Sequence, residues 1–316
     1  MIDVLLPEIH GRPTGGNLYN ARIFFELAKI TEVREHIGPI GPIGPTGPIG
    51  PILVDSLLLD TPVEGAILLA HYLHLMEHRD SEKAARERAH LARYRAAIAT
   101  SEYARDALGA IRCVAIPPGL DDAYREAVAP RHNDVPRIAT VANFFPDKGL
   151  VDAIEVLESL RDLEWEWHLA GDPTLDPQCA QAFHDRLARS AIADRVHVLG
   201  PLHDVQPLYD RADVFLLLAR FESCSMVTRE AMARALPVVA YPAGGLASNL
   251  PRETQHLLSP LDDREGIAAT LRRLLGDREE REMLGGINRE AAMRFPTWEE
   301  SARELHAFLL TLSHEP

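Results

Sequence analysis

The sequence predicts an α/β protein built from two doubly wound, parallel-sheet domains. Three observations carry this. Short apolar runs of strand length alternate with helix-patterned stretches along the 316 residues. The alternation breaks at a charged, Pro-containing stretch, Ala127 to Pro136, and then restarts. The carboxyl ends of the strands run into small or polar residues, the edge at which open α/β sheets receive ligands.

The length suits two such domains, and 46% apolar with 25% charged residues is a globular composition. No apolar run approaches the roughly 20 residues that cross a bilayer. The opening MIDVLLPEIHGRP has no basic region and no small-residue cleavage site, so it reads as a core strand and a cytoplasmic protein is expected. Cys113, Cys179 and Cys224 are odd in number and widely spaced, which points to reduced thiols. A formal charge of -14 argues against a nucleic-acid partner. It leaves room for a phosphorylated small ligand, which needs only a local cation and a few aimed N–H groups.

In the first half, strand Val4-Leu5-Leu6 leads through a loop with Gly15-Gly16 into a helix carrying Leu18, Ile23, Phe24, Leu27 and Ile30, with Asn17 as the expected N-cap. A glycine pair at a helix N-terminus after a strand is suited to an anion, although such pairs also serve turns that bind nothing. Residues 38–51 read GPIGPIGPTGPIGP, with glycine at every third place from Gly38 to Gly50. That run is too short to hold three chains together, so it reads as an extended, polyproline-type loop. Strands follow at Ile52–Val54 and Ala66–Ala70, the second ending in His71. Next come a helix from about Ser81 to Arg95, a strand at Ala96–Thr100, a capped helix start at Thr100-Ser101 and a short strand Val114–Ile116.

Beyond the linker, strand Arg137–Val141 precedes Asn143 to Gly149 and a helix from Leu150. Strands Trp165–Ala170, Val196–Leu199, Val214–Leu218 and Pro237–Tyr241 alternate with helices near Gln178–Ala193, Val205–Ala212 and Met226–Ala235. Three more helices, Arg264–Leu275, Glu279–Arg294 and Glu299–Leu312, complete the pattern. The domains are thus expected at 1–130 and 131–298, with a last helical segment at 299–316.

Glu222 and Glu230 have seven residues between them, one in a loop and one in the first turns of a helix. Two carboxylates so placed could grip two ends of an elongated ligand. They fit equally a solvated loop residue and a carboxylate stabilising a helix N-terminus.

The run FESCSMVTREAMARALPVV resembles the E-x7-E signature of retaining glycosyltransferases of family 4, which have the two-domain GT-B fold. Phe145-Pro146-Asp147-Lys148-Gly149 resembles that family's "KG" motif and Leu169-Ala170-Gly171-Asp172 its "aGdg" strand end. Val198-Leu199-Gly200, Leu208-Tyr209-Asp210-Arg211-Ala212-Asp213-Val214 and Leu236-Pro237-Val238-Val239-Ala240 follow in the family's order over about residues 137–260. In the first half Gly15-Gly16, Leu69-Ala70-His71, Thr100-Ser101 and Ile116–Asp121 fit more loosely.

The resemblance implies two Rossmann-like domains facing across a cleft, with the last helix crossing back to the N-terminal one. It implies a nucleotide-diphosphate sugar of UDP or GDP type as donor. The acceptor would be a hydroxyl on a small molecule, a lipid-linked group or a glycan. The catalytic roles fall to Lys148, against the donor diphosphate, to Glu222, and to His71 near the reacting face of the sugar. Donor contacts fall to Gly15, Gly16, Asn143, Gly171, Glu230 at the ribose, Gly244 and Gly245. Glu222 would hold the sugar together with the amides of Ser223, Cys224, Ser225, Met226 and Val227. Configuration would be retained through a same-face displacement, with no protein nucleophile and no metal or cofactor.

Three departures from the family pattern stand out, the first being a short N-terminal domain with the Gly-Pro-X segment where ordered structure is expected. Asn143 occupies the place of a usual arginine, and Ser223-Cys224-Ser225 replaces a usual Gly-Phe-Gly. The rival expectations are a sugar-nucleotide-binding partner subunit with little turnover and another GT-B enzyme, such as a sugar-nucleotide epimerase. The arginine- and lysine-rich helix at Ser81–Arg95 also admits a peripheral membrane contact.

Overall fold

The computed structural model describes residues 1–9, 11–38, 50–60, 63–109 and 111–313. The triplet segment, apart from its ends, lies outside the described residues. The chain divides into two compact units, residues 1–121 with 296–316, and residues 122–295. The division falls at 121/122 instead of the expected 130/131, because the short helix α4 (Asp122–Arg125) already belongs to the second unit: the Arg125 guanidinium donates to the carbonyls of Met293 and Phe295. The return falls at 295/296, ahead of the expected 298/299.

The first unit carries a six-stranded sheet of β1 (Ile2–Leu6), β2 (Val33–Ile37), β3 (Ile52–Asp55), β4 (Ile67–Ala70), β5 (Ala96–Ala99) and β6 (Cys113–Ala115). Its order is β2-β1-β3-β4-β5-β6, every pairing parallel. The central strands are buried on both faces, which is why they read as unbroken apolar runs such as ILLA and AAIA. β2 was not expected from the sequence. It is an edge strand, VREHI, largely exposed and charged, with no apolar run to mark it. Helices α1 (Gly15–Leu27), α2 (Glu82–Leu91) and α3 (Glu102–Leu108) connect the strands. The last helix, α11 (Trp298–Ser313), packs on α1 within this unit. There Tyr19 meets the Trp298 ring edge-on at 5.7 Å, and the Ser301 hydroxyl donates to the Pro117 carbonyl at 2.8 Å.

The second unit carries a five-stranded parallel sheet of β7 (Arg137–Val141), β8 (Glu166–Ala170), β9 (Val196–Gly200), β10 (Val214–Leu217) and β11 (Val238–Ala240), in the order β11-β10-β7-β8-β9. Helices α5 (Leu150–Glu158), α6 (Pro177–Ala188), α7 (Gln206–Arg211), α8 (Met226–Ala233), α9 (Arg264–Gly276) and α10 (Arg278–Ala292) surround it. Its core is aromatic: Trp165, Trp167, Phe144, Phe183 and Phe215 are fully buried. The indole of Trp167 donates to the Thr140 hydroxyl at 2.9 Å, and that hydroxyl donates onward to the Leu216 carbonyl at 2.7 Å. The Trp167 indole N–H and the Thr140 hydroxyl inside the sheet are thereby satisfied.

Both sheets are doubly wound, and each has a point where the winding reverses. In the first it lies between β1 and β3, in the second between β7 and β10. The loops leaving those neighbouring strands part to opposite sides and leave a crevice at the carboxyl edge. Among the described residues no helix is long and apolar enough to cross a membrane.

Candidate functional site

In the second unit, the loops flanking the reversal point bring Lys148 and Glu222 together. The loop after β7 is pinned by Phe144, buried edge-on against Phe183 at 5.2 Å. It then tightens into a 3₁₀ turn at Pro146–Lys148 and ends in Gly149, whose φ of +64° favours glycine. A Cβ there would fall on the Leu218 carbonyl, so the two loops can approach this closely only with glycine. The loop after β10 is tied across by Arg220, whose amide donates to the Asp147 carbonyl at 2.7 Å.

Within this frame Lys148 Nζ donates to Glu222 Oε1 at 2.9 Å and lies 3.5 Å from Asp147 Oδ2. Burial alone would push the ammonium pKa down. The charges of Glu222 and Asp147 outweigh it and hold the value above that of an ordinary lysine. Lys148 is therefore a fixed, permanent cation at the sheet edge.

The residues around this pair serve to place it. Gly245 donates its N–H to the Glu222 carbonyl at 2.8 Å, and a Cβ on Gly244, at φ +55°, would strike the same oxygen. Gly171 lies against the Ala142 carbonyl where a side chain would not fit. Asn143 accepts the Asp172 N–H on Oδ1 at 3.0 Å, so its side chain joins the ends of β7 and β8. Ser223, Cys224 and Ser225 lead into α8, at whose first turn the amides of Met226 and Val227 have no intrahelical acceptor. Ser225 is buried with φ +60°, and its hydroxyl meets the Thr228 hydroxyl at 2.8 Å. A serine thus holds a left-handed position that costs it more than glycine, consistent with the glycine the resemblance expects. Glu230, one turn into α8, accepts the Tyr209 hydroxyl on Oε2 at 3.1 Å. Burial and the Glu230 charge push the Tyr209 phenol well up, so it stays a donor.

In the first unit the structure brings Gly16 against His71, with Gly15 its neighbour in the chain. Asn17 was expected to cap α1, but the cap is Thr14, whose hydroxyl accepts the Asn17 N–H. The glycines are therefore the first two helical residues, with amides that have no intrahelical acceptor. Asn17 instead donates from its side chain to the Ile9 and Arg12 carbonyls and holds the preceding loop. A Cβ on Gly16 would press on the His71 ring at 3.1–3.3 Å, whereas one on Gly15 would meet nothing within 4 Å.

His71 sits on a relay that the sequence did not reveal. The Asn20 amide nitrogen donates to Asp55 Oδ2 at 2.7 Å, and Asn20 Oδ1 faces His71 Nε2 at 2.7 Å. Asp55 Oδ2 is itself 3.5 Å from Nε2. With two acceptors before it, Nε2 carries the proton and Nδ1 keeps its lone pair. Burial pushes the His71 pKa down, and Asp55 only partly offsets this, so the imidazole is neutral near neutral pH. Asp55 comes from the end of β3 and Asn20 from α1. Only the sheet order makes them neighbours of His71, which is why sequence spacing missed them. Tyr209 lies within the Leu208–Val214 motif, and nothing in its spacing announces its contact with Glu230.

None of the cysteines is an activated nucleophile. Burial pushes Cys113 up to about 11 and raises Cys179 and Cys224 as well.

Residues 135–277 match the family model described as glycosyl transferases group 1. The match lies wholly inside the second unit and spans the Lys148, Glu222 and Glu230 positions. Among curated proteins, the chain is 30% identical over 208 residues to the D-inositol 3-phosphate glycosyltransferase of Jonesia denitrificans, covering 61% of this chain and 48% of that one. The chain spans less than half the length of the first curated relatives it matches, from 19% to 48%. Among solved structures, a sucrose-phosphate synthase from Thermosynechococcus elongatus superposes with a TM-score of 0.80 at 20% identity, over 99% of both chains. Anabaena HepE in complex with UDP-glucose gives 0.78 at 16% identity, over 98% of this chain and 99% of that one. At such identities the likeness is one of fold, the two Rossmann-like domains of GT-B glycosyltransferases.

Proposed function

We propose that the protein is a retaining glycosyltransferase using a nucleotide-diphosphate sugar of UDP or GDP type, with the donor held by the second unit. The observation that carries this reading is the Lys148–Glu222 pair at the reversal point of the second sheet, 2.9 Å apart. When a glycosyl–phosphate bond breaks, negative charge grows on the departing diphosphate. A half-buried ammonium already fixed beside it stabilises that charge without reorganising. Glu222, anchored through its backbone by Gly245, is placed to accept hydrogen bonds from sugar hydroxyls. Glu230 is placed to accept those of the ribose, with Tyr209 orienting its carboxylate. The Gly15 and Gly16 amides suit phosphate oxygens, and His71 Nδ1 is an acceptor for a hydroxyl of the transferred sugar.

On this reading the acceptor hydroxyl attacks on the face the diphosphate leaves, and its proton passes to a departing phosphate oxygen. The new glycosidic bond forms as the carbon–phosphate-oxygen bond breaks, through an oxocarbenium-like state. No protein nucleophile is needed, in keeping with thiols that burial keeps protonated. We further propose a cytoplasmic enzyme that requires no metal for turnover and takes a small-molecule, lipid-linked or glycan acceptor. The names of its relatives support the reaction class: the Jonesia protein is a glycosyltransferase, and HepE was solved with UDP-glucose.

The test is thermal stability with UDP, GDP, ADP and TDP, on the wild type and on Lys148→Ala. A ligand that binds only the folded state raises the melting temperature. A rise with one diphosphate that the mutant loses supports the reading and names the base. No rise with any of them, from a folded protein, overturns it. Asn143, with its side chain on Asp172 where a second phosphate cation is expected, favours a second reading: a sugar-nucleotide-binding subunit with little turnover. Binding without hydrolysis or transfer of any donor sugar would select it.

A further inference from the structure

We propose that Glu166, His168 and His197 form a binding site for a zinc-like divalent transition ion on one face of the second sheet. Successive side chains of a strand point to opposite faces, so Glu166 and His168, two apart on β8, share a face. Trp167 and Leu169 point the other way into the core. His197 on β9 is the register partner of His168, and their rings lie 4.6 Å apart between centroids. One donor atom from each of the three residues can be chosen so that all lie within 4.8 Å of one another.

Part of the coordination geometry is already present. Glu166 Oε2 and His168 Nε2 are 3.1 Å apart. Around a tetrahedral ion with bonds of about 2.0–2.1 Å, neighbouring donor atoms stand roughly 3.3 Å apart. His197 is exposed, so turning its side chain closes the third position without moving packed atoms. Two imidazoles and a carboxylate select zinc and its neighbours over magnesium or calcium, and leave a fourth position for water.

One group opposes the ion, and it gives the proposal a sign. Arg137, the register partner of Glu166 on β7, places its Nε 3.2 Å from Glu166 Oε2. The guanidinium competes for the same carboxylate oxygen, so removing it should tighten ion binding while leaving both histidines in place. The bound ion would tie β9, an edge strand whose one neighbour in the sheet is β8, to that neighbour through side chains. The site stands apart from the Lys148–Glu222 pair and does not depend on the proposed reaction.

The experiment is calorimetric titration of the full chain with zinc chloride, with melting temperature followed in parallel. The expected result is one ion per wild-type chain and a raised melting temperature. His197→Ala should bind at least about tenfold more weakly, and His168→Gln likewise, while Arg137→Gln should bind more tightly. Equal affinity in wild type and His197→Ala would place the zinc on other histidines or cysteines and overturn the assignment. No binding at millimolar zinc by the folded wild type would overturn it too, as would weaker binding by Arg137→Gln.

Discussion

The carboxyl edges of the two sheets hold their key polar side chains in opposite ways. At the first edge, Asp55 acts on His71 chiefly through an intervening amide, and the imidazole is kept neutral by burial. At the second, Lys148 is paired directly with Glu222 and lies beside Asp147, and burial fails to remove its charge. The difference follows from what each group must remain. A hydrogen-bond acceptor on a histidine needs its proton fixed on the other nitrogen, which oriented dipoles achieve without a strong charge pair. A cation removed from water needs anions in contact, or it loses its proton.

The second edge should break hardest. Lys148→Ala should lower kcat at saturating donor by about 100- to 1,000-fold, the usual cost of removing one preorganised group that stabilises charge in the transition state. Melting temperature should stay near the wild-type value, since the core is untouched. Turnover within threefold of wild type would remove Lys148 from the chemistry.

Gly149→Ala should destabilise the second unit by about 2–4 kcal/mol, because a left-handed backbone and the Leu218 carbonyl both oppose a Cβ there. Denaturant unfolding measures this directly. An unchanged midpoint would show that the two loops are not locked together.

The first edge should yield more gently and in a pH-dependent way. Asp55→Asn frees the Asn20 amide to turn, which lets the proton move to His71 Nδ1, and kcat should fall about 10- to 100-fold. In the wild type, protonating His71 removes the acceptor, so activity falls as pH drops through a folded-state pKa below 6.5. Asp55 raises that pKa, so Asp55→Asn should shift the acid limb to lower pH. A limb that stays in place, or moves up, would detach Asp55 from His71. The unfolded chain binds the proton more readily than the buried imidazole, so this site also costs stability as pH falls below 6.5.

Glu230→Ala should weaken nucleotide diphosphate binding by about tenfold while changing kcat less. A pure loss of kcat with unchanged affinity would contradict the ribose role. The smallest effect is expected at Gly15→Ala. Nothing lies within 4 Å of the added Cβ, so stability should not change. Any loss of donor affinity there reports on the ligand and not on the fold.

Legibility in the sequence followed burial and locality. β7 and β10 were readable because IAT within RIATV and the whole of VFLL are buried apolar-rich runs, and β8 because Trp167, Leu169 and Ala170 carry the core face of EWHLA while Glu166 and His168 take the other. β2 was invisible because an exposed edge strand carries charge where a buried one carries apolar side chains. At the site, Lys148, Glu222 and Glu230 were singled out because they lie in short motifs. Asn20, Asp55 and His71 are drawn from an α-helix and two strand ends, and their hydrogen bonds exist only once β3 stands between β1 and β4. The Glu166, His168 and His197 cluster is hidden likewise, since the register of β8 on β9 joins residues 29 apart in the chain.

The placement of α11 has a bearing on how the chain is made. The second unit is one uninterrupted stretch, residues 122–295, whereas the first is completed by residues 296–316. Emerging from a ribosome, the later-synthesised unit has all its parts first. Until α11 follows, α1 lacks the helix that packs on it, and the edge-on contact of Tyr19 with Trp298 cannot form. The usual amino-to-carboxyl order of domain completion is thereby inverted along this chain: the unit that begins later is the first to have all its residues.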